Sequence, residues 1–311
     1  MKAQVITVDC DYLRPQFAAA FIRTTPEGEI AIVENNTAHA VPLILKTLAL
    51  AGAKPAQVRY LLITHVHLDH AGGTSALLEA CPNATVLAHP RAARHLLDPS
   101  KLIAGAQAVY GEARFLQLYG TLSPIPRDRL REMNDGETLT LGRSSLEFIH
   151  TRGHAKHHLV IHDPDAQTVF TGDAFGLAYP SLQRNGAFVF ASTSPTDFEP
   201  EEALKSIDRI ISLETPSAHL THYGEIRDLR SAAAQLRRWI EASARLVETY
   251  RHDARTSEAL ATTIESELQA LMTSEFSRHG LSPTSADREL VALDLELNAQ
   301  GLAWVAKKEP A

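Results

Sequence analysis

An α/β fold is predicted from three features of this 311-residue chain. Short apolar runs alternate with helical stretches through the first half, several runs end in histidine or aspartate, and beyond Ile226 the periodicity becomes wholly helical. The order of elements follows from these patterns. "AAAFIRT", the turn "TPEGE" and "IAIVEN" predict a hairpin turning at Gly28. Val41, Ile44, Leu45, Leu48 and Leu50 share one helical face, which Gly52 ends. The run Leu61–Ile63 predicts a buried strand, and Gly72-Gly73 breaks the chain before a helix over residues 74–80. "ATVLAHP" predicts the next strand and "RAARHLL" the next helix, while residues 99–130 read as helical.

After "NDGETLTLG" the pattern returns to strands in "SLEFIHTRG", "HHLVIHD" and "TVFTGD". Residues 176–198 are irregular, residues 201–213 helical, and "SAHLTHYG" contains a short strand. Leu229, Ala233, Leu236, Ile240, Val247 and Tyr250 then mark one face of a long amphipathic helix, with weaker helical patterns to the end. The domain division expected is 1–228 for an α/β catalytic domain and 229–311 for a helical C-terminal extension packed on it.

Composition limits the function classes. A net charge of −7 and an isoelectric point near 6.1 offer no basic stripe for nucleic acid or an anionic membrane. The partner expected is a small-molecule substrate, with a homodimer compatible with the helical extension. Cys10 and Cys81 form no CxxC and no disulfide framework, and read as structural thiols in a reducing compartment. The N-terminal "MKAQVITVDCDYL" has no apolar signal region, so a cytoplasmic location is expected.

The chemistry is carried by "LLITHVHLDHAGG". It places His65, His67, Asp69 and His70 just after an apolar strand. His154 in "TRGHAKHH", Asp173 in "FTGD" and His222 in "LTHYG" also follow apolar strands. Imidazole nitrogens and carboxylate oxygens are the donors that borderline divalent ions favour. Strand-end loops converging on one edge of a layered fold would bring all seven together.

In this order, H-x-H-x-D-H, G-H, G-D and a late H resemble the metallo-β-lactamase superfamily in its glyoxalase II-like hydrolase branch. The resemblance covers roughly residues 1–225. It implies an αββα four-layer sandwich with two divalent metal ions at one edge, zinc first, with iron or manganese as alternatives. Carried over residue by residue, it assigns His65, His67 and His154 to one ion, Asp69, His70 and His222 to the other, and Asp173 to both. Two such ions would share a water, lower its pKa and present a bridging hydroxide to an ester-like bond in a thioester, lactone or relative. Asp69 would orient that hydroxide, and Tyr223 and Tyr179 are candidate donors to the developing oxyanion.

His157 and His158 lie beside His154, where His158 is a candidate to orient a ligand. His39, His95, His150, His162, His219, His252 and His279 read as surface or structural residues, and His89 as a strand-end residue. Departures from relatives narrow the substrate. "GDAFGLAYPSLQRNG" lacks the loop with which glyoxalase II enzymes follow the bridging aspartate, and Gly176 stands where acyl-homoserine lactonases place a tyrosine. A mononuclear iron persulfide dioxygenase of the same fold keeps H-x-H-x-D-H and is the alternative. A non-catalytic sensor is a third reading.

Overall fold

The computed structural model describes residues 4–193 and 197–308. Two compact units are present. The first runs through His150 and adds His157–Gly172 and Leu213–Arg227; the second comprises Thr151–Lys156, Asp173–Ser212 and the chain from Asp228 onward. One boundary therefore falls at Asp228, where the helical periodicity begins. The second unit also takes in two earlier segments that carry His154 and Asp173.

The first unit contains two six-stranded sheets. One has the order β1 (Gln4–Asp9), β2 (Ala19–Thr24), β3 (Ile30–Val33), β4 (Val58–Leu62), β5 (Thr85–Ala88) and β6 (Leu130–Glu132). The other runs β12 (Gly224–Ile226), β11 (Ser217–Leu220), β10 (Thr168–Gly172), β9 (Leu159–Asp163), β8 (Ser144–His150) and β7 (Glu137–Leu141). The expected hairpin is β2–β3, antiparallel, with Gly28 at φ +87°. From β3 to β6 the neighbours are parallel, as α/β alternation requires.

Burial on both faces explains the continuous apolar runs of the central strands. Ala19, Phe21, Ala31, Val33, Leu62 and Leu87 point into one core with Phe148, Ile161 and Phe170 of the second sheet. The alternate residues Ala20, Ile22, Ile30, Ile32, Leu61 and Val86 point into another core. There they meet α1 (Val41–Leu50), α3 (Thr74–Ala80) and α4 (Pro90–Leu97), through Ile44, Leu48, Leu77 and Leu96. One-turn α2 (Leu68–Ala71) precedes α3, and α5 (Ser100–Tyr110) and α6 (Glu112–Tyr119) follow α4. The helical reading of 99–130 thus holds to Tyr119; residues 130–132 form strand β6 instead, because Leu130–Glu132 pairs with Val86–Ala88.

The second unit is built on α7 (Pro200–Ser212), α8 (Leu229–Tyr250), α9 (Ser257–Arg278) and α10 (Ser285–Lys307). The predicted stripe on α8 is buried at Leu229, Ala233, Leu236, Ile240 and Val247. Trp239 packs against Phe190, with ring centroids 5.9 Å apart, and the Gln235 amide accepts the Val189 N–H at 3.1 Å. The irregular stretch after Asp173 is thereby held by the same unit as the C-terminal helices. No described helix is long and apolar enough to cross a membrane.

Candidate metal centre

The turn after β4 is shaped by the segment Glu34–Thr37. Asn35 and Asn36 both donate backbone N–H to the His70 carbonyl, at 3.0 and 3.1 Å, and the Asn36 amide donates to the Asp69 carbonyl at 2.9 Å. Gly73 N–H returns a bond to Asn36 O at 2.9 Å. Glu34 is fully buried; one carboxylate oxygen accepts the Thr64 N–H at 3.2 Å and the other lies 3.3 Å from His70 Nδ1. These residues turn the chain so that consecutive donors face the same region. Sequence reasoning missed all three, because a buried Glu-Asn-Asn at a strand end has no ligand spacing of its own.

Within the first unit five of the predicted ligands come together. His65 Nε2 and His67 Nδ1 are 2.8 Å apart, and the His65 and His70 ring centroids 4.0 Å. Asp69 Oδ2 is 3.3 Å from His222 Nε2 and 3.8 Å from His70 Nε2. The donor atoms of Asp69, His70 and His222 all lie within 4.8 Å of one another. In the second unit the other two predicted ligands meet, His154 Nε2 standing 3.5 Å from Asp173 Oδ2.

The far nitrogen of each ring decides the chemistry of the near one. His222 Nδ1 lies 2.8 Å from the Phe17 carbonyl, and His154 Nδ1 lies 3.3 Å from the Ser192 carbonyl. A carbonyl only accepts, so each Nδ1 carries a proton. The neutral imidazole then presents a lone pair at Nε2. The Glu34 carboxylate lies on the Nδ1 side of His70, at 3.3 Å. The Nε2 atoms of His222, His70 and His154 lie 3.3, 3.8 and 3.5 Å from carboxylate oxygens. Within each unit, ring nitrogen and carboxylate oxygen at this distance could hold a cation between them. Oriented rings with occupied outer nitrogens are the usual surroundings of a metal. The donor set of nitrogen and carboxylate oxygen fits a divalent ion.

Two glycines precede the ligands of the second unit. Gly172, at φ +48°, brings the chain close to Thr64 Oγ1 and His158 Nε2, which a Cβ would meet at 2.4 and 2.7 Å. Gly153, at φ +122°, lies against the backbone of Ala203, whose N and Cα a Cβ would meet at 2.4 Å. His158 is fully buried, its ring 4.9 Å from that of His65, and half-buried His157 lies 5.8 Å from His67.

Tyr179 is buried and donates to Asp294 Oδ2 at 3.0 Å, the satisfied hydroxyl of a packing residue. Tyr223 packs half-buried against the core between the sheets, where burial and the nearby Asp9 push its phenol upward. His89 caps α4, accepting the Arg91 N–H at 2.9 Å, and stacks on His150. Its ionisation is depressed to about 3, by burial first and the neighbouring imidazole second.

Residues 25–223 match the model of the metallo-beta-lactamase superfamily. The chain belongs to that superfamily. Its α/β fold with two sheets and C-terminal helices is the one the sequence predicted. Over 169 residues it is 29% identical to a metallo-beta-lactamase fold-containing protein of Sulfurisphaera tokodaii, covering 53% of this chain and 60% of that protein. A hydroxyacylglutathione hydrolase of Cereibacter sphaeroides is 28% identical over 174 residues, 56% of this chain and 52% of its own length. The alignments thus span about half to three fifths of these relatives. The solved structure of an archaeal superfamily protein from Sulfolobus tokodaii superposes with a TM-score of 0.63 at 19% identity, over 97% of this chain and 99% of that one. That likeness concerns the fold.

Proposed function

We propose that this metallo-beta-lactamase superfamily chain is a dinuclear-metal hydrolase that cleaves an ester-like bond, in a thioester, lactone or related small molecule. The ligand set proposed is His65, His67 and His154 for one ion, Asp69, His70 and His222 for the other, and Asp173 for both. Bound there, two divalent ions, zinc first, supply Lewis acidity and lower the pKa of a shared water. The observation that carries the reading is the compact Asp69, His70 and His222 triad, whose donor atoms lie within 4.8 Å of one another, with His222 oriented by the Phe17 carbonyl on the far side of its ring.

The remaining work falls to the chain's own residues. Asp69 accepts a hydrogen bond from the attacking water and holds it in one orientation, the role of a general base. The Phe17 carbonyl accepts the His222 Nδ1 proton and so turns its Nε2 toward the site. The 28% identity to a hydroxyacylglutathione hydrolase supports the glyoxalase II-like assignment, and the departures after Asp173 weigh against glutathione itself as the carrier. The mononuclear dioxygenase alternative is not favoured, since Asp69, His70 and His222 already form a compact second triad.

Metal analysis of the purified protein, followed by a panel of thioesters, lactones, phosphodiesters and glutathione persulfide, tests the proposal. Two ions per chain and hydrolysis without oxygen uptake are expected, and Asp173→Ala is expected to lose bound metal. One iron with oxygen consumption on the persulfide, or full metal content in Asp173→Ala, would overturn it.

A further inference from the structure

Two side-chain amides of the second unit hold the segment that follows Asp173, and they do so in the same way. Gln235 of α8 accepts the Val189 N–H at 3.1 Å and donates to the Ala187 carbonyl at 2.7 Å. Asn298 of α10 accepts the Thr193 N–H at 2.7 Å and donates to the Ala191 carbonyl at 2.9 Å. Each amide thus pairs with the backbone on both sides of one residue, Phe188 in the first case and Ser192 in the second. Both amides are buried, and each satisfies backbone groups that have no strand neighbour at that point.

The two bracketed residues differ in what they touch. The N–H and carbonyl of Phe188 go to the Gln183 amide, at 3.0 and 2.9 Å, and its ring stacks on Phe276, so this clamp ends in packing. The Ser192 carbonyl instead lies 3.3 Å from His154 Nδ1, and the other nitrogen of that ring stands 3.5 Å from Asp173 Oδ2. Ser192 C=O and Thr193 N–H belong to one planar peptide unit. By accepting the N–H, Asn298 fixes that plane and with it the direction of the carbonyl that meets His154.

We propose that Asn298 is a positioning residue for the metal ligand His154. Through the Ser192–Thr193 peptide it keeps the ring proton on Nδ1, which leaves Nε2 as the nitrogen able to bind a metal. Helix α10 thereby takes part in metal binding without supplying a ligand. The inference rests on the proposed role of His154 as a ligand. Gln235 makes the same two kinds of bond with no ligand at the far end, and so serves as its internal control.

Long-range proton–nitrogen NMR of the metal-free protein reads the His154 tautomer, with His154→Ala identifying its signals. The Nδ1–H form is expected in the wild type and in Gln235→Met, and a mixture with the Nε2–H form in Asn298→Leu. Zinc affinity, measured by competition with a chromophoric chelator, is expected to fall about tenfold or more in Asn298→Leu, the scale for partners that orient a ligand. Gln235→Met should keep wild-type zinc affinity, although it too leaves two buried backbone groups unpaired and lowers the urea midpoint. If Asn298→Leu does not fold, Asn298→Ser, which keeps a hydroxyl for one of the two backbone groups, should show the same losses. Where His154→Ala weakens zinc, an unchanged tautomer or unchanged affinity in the Asn298 variants would overturn the inference, as would an equal zinc loss in Gln235→Met. Wild-type zinc affinity in His154→Ala would instead remove His154 from the ligand set, and the tautomer alone would then decide whether Asn298 positions the ring.

Discussion

Two buried polar clusters in the first unit are built from similar residues and have opposite electrostatic character. In one, Arg23 of β2 reaches the carboxylate of Asp163 on β9, the hydroxyl of Ser144 and the carbonyl of Thr24, with side-chain exposures of 1% and 0% for the ion pair. Every strong donor there meets an acceptor. In the other, Asp69 Oδ2 lies 3.8 Å from His70 Nε2 and 3.3 Å from His222 Nε2, and the His222 Nδ1 proton points away from it, to the Phe17 carbonyl. The first cluster is complete within the chain, whereas the second has the nitrogen and oxygen donors that could hold a cation. The difference teaches that the donor types gathered in a buried polar cluster, and not the burial of charge alone, mark a candidate functional site.

Breaking the self-complementary cluster should produce the largest effect. Arg23→Met leaves Asp163 buried without its partner and is expected to cost about 3–5 kcal/mol, measured as the shift in urea unfolding. The double change Arg23→Met, Asp163→Leu should recover most of that loss, since removing both charges removes the desolvation penalty.

His219 sharpens the contrast, because it is an imidazole built to stay neutral without a metal. Its Nδ1 pairs with Thr168 Oγ1 at 2.8 Å and its ring packs on Phe21 and Phe170, and burial depresses its ionisation to about 4. The unfolded chain takes up its proton near pH 6.5, before the folded chain does. Its contribution to stability is therefore complete above about pH 6.5 and is lost as pH falls toward 4, by about 3 kcal/mol. Denaturant titrations of wild type and His219→Gln across that window should differ in slope, the variant being flatter.

The smallest of the three effects on the free-energy scale falls on turnover. Asp69→Asn should lower kcat by roughly a hundredfold, the scale of a lost general base. It should leave metal-stripped stability unchanged or raised, because the amide can donate to one of the facing lone pairs. A clear loss of stability in the stripped variant would mean that Asp69 is structural in the manner of Asp163.

Much of this was legible from the sequence where chemistry and spacing coincide. His65, His67, Asp69 and His70 sit within one turn, and strand periodicity fixed which side of the sheet they follow. The hairpin, the helices from Val41 to Leu97 and the α8 stripe were legible for the same reason. β1 was not, because its alternation is blurred at a half-exposed edge, and β6 is three residues long. Glu34, Asn35 and Asn36 escaped because their roles exist only through distant partners. The expected extension at 229–311 was readable as helix, but nothing in its periodicity indicated that His154 and Asp173 belong to the same compact unit.

The glycines before those two ligands bear on how variant libraries of this protein should be drawn. Gly153 and Gly172 adopt positive φ, and a Cβ at either would strike the Ala203 backbone or Thr64 and His158. Even alanine there must move the next residue, which is His154 in one case and Asp173 in the other. Randomising loops should therefore hold these two positions fixed and concentrate diversity on exposed side chains of α5 and α6. Surface side chains there can vary without dragging a ligand with them.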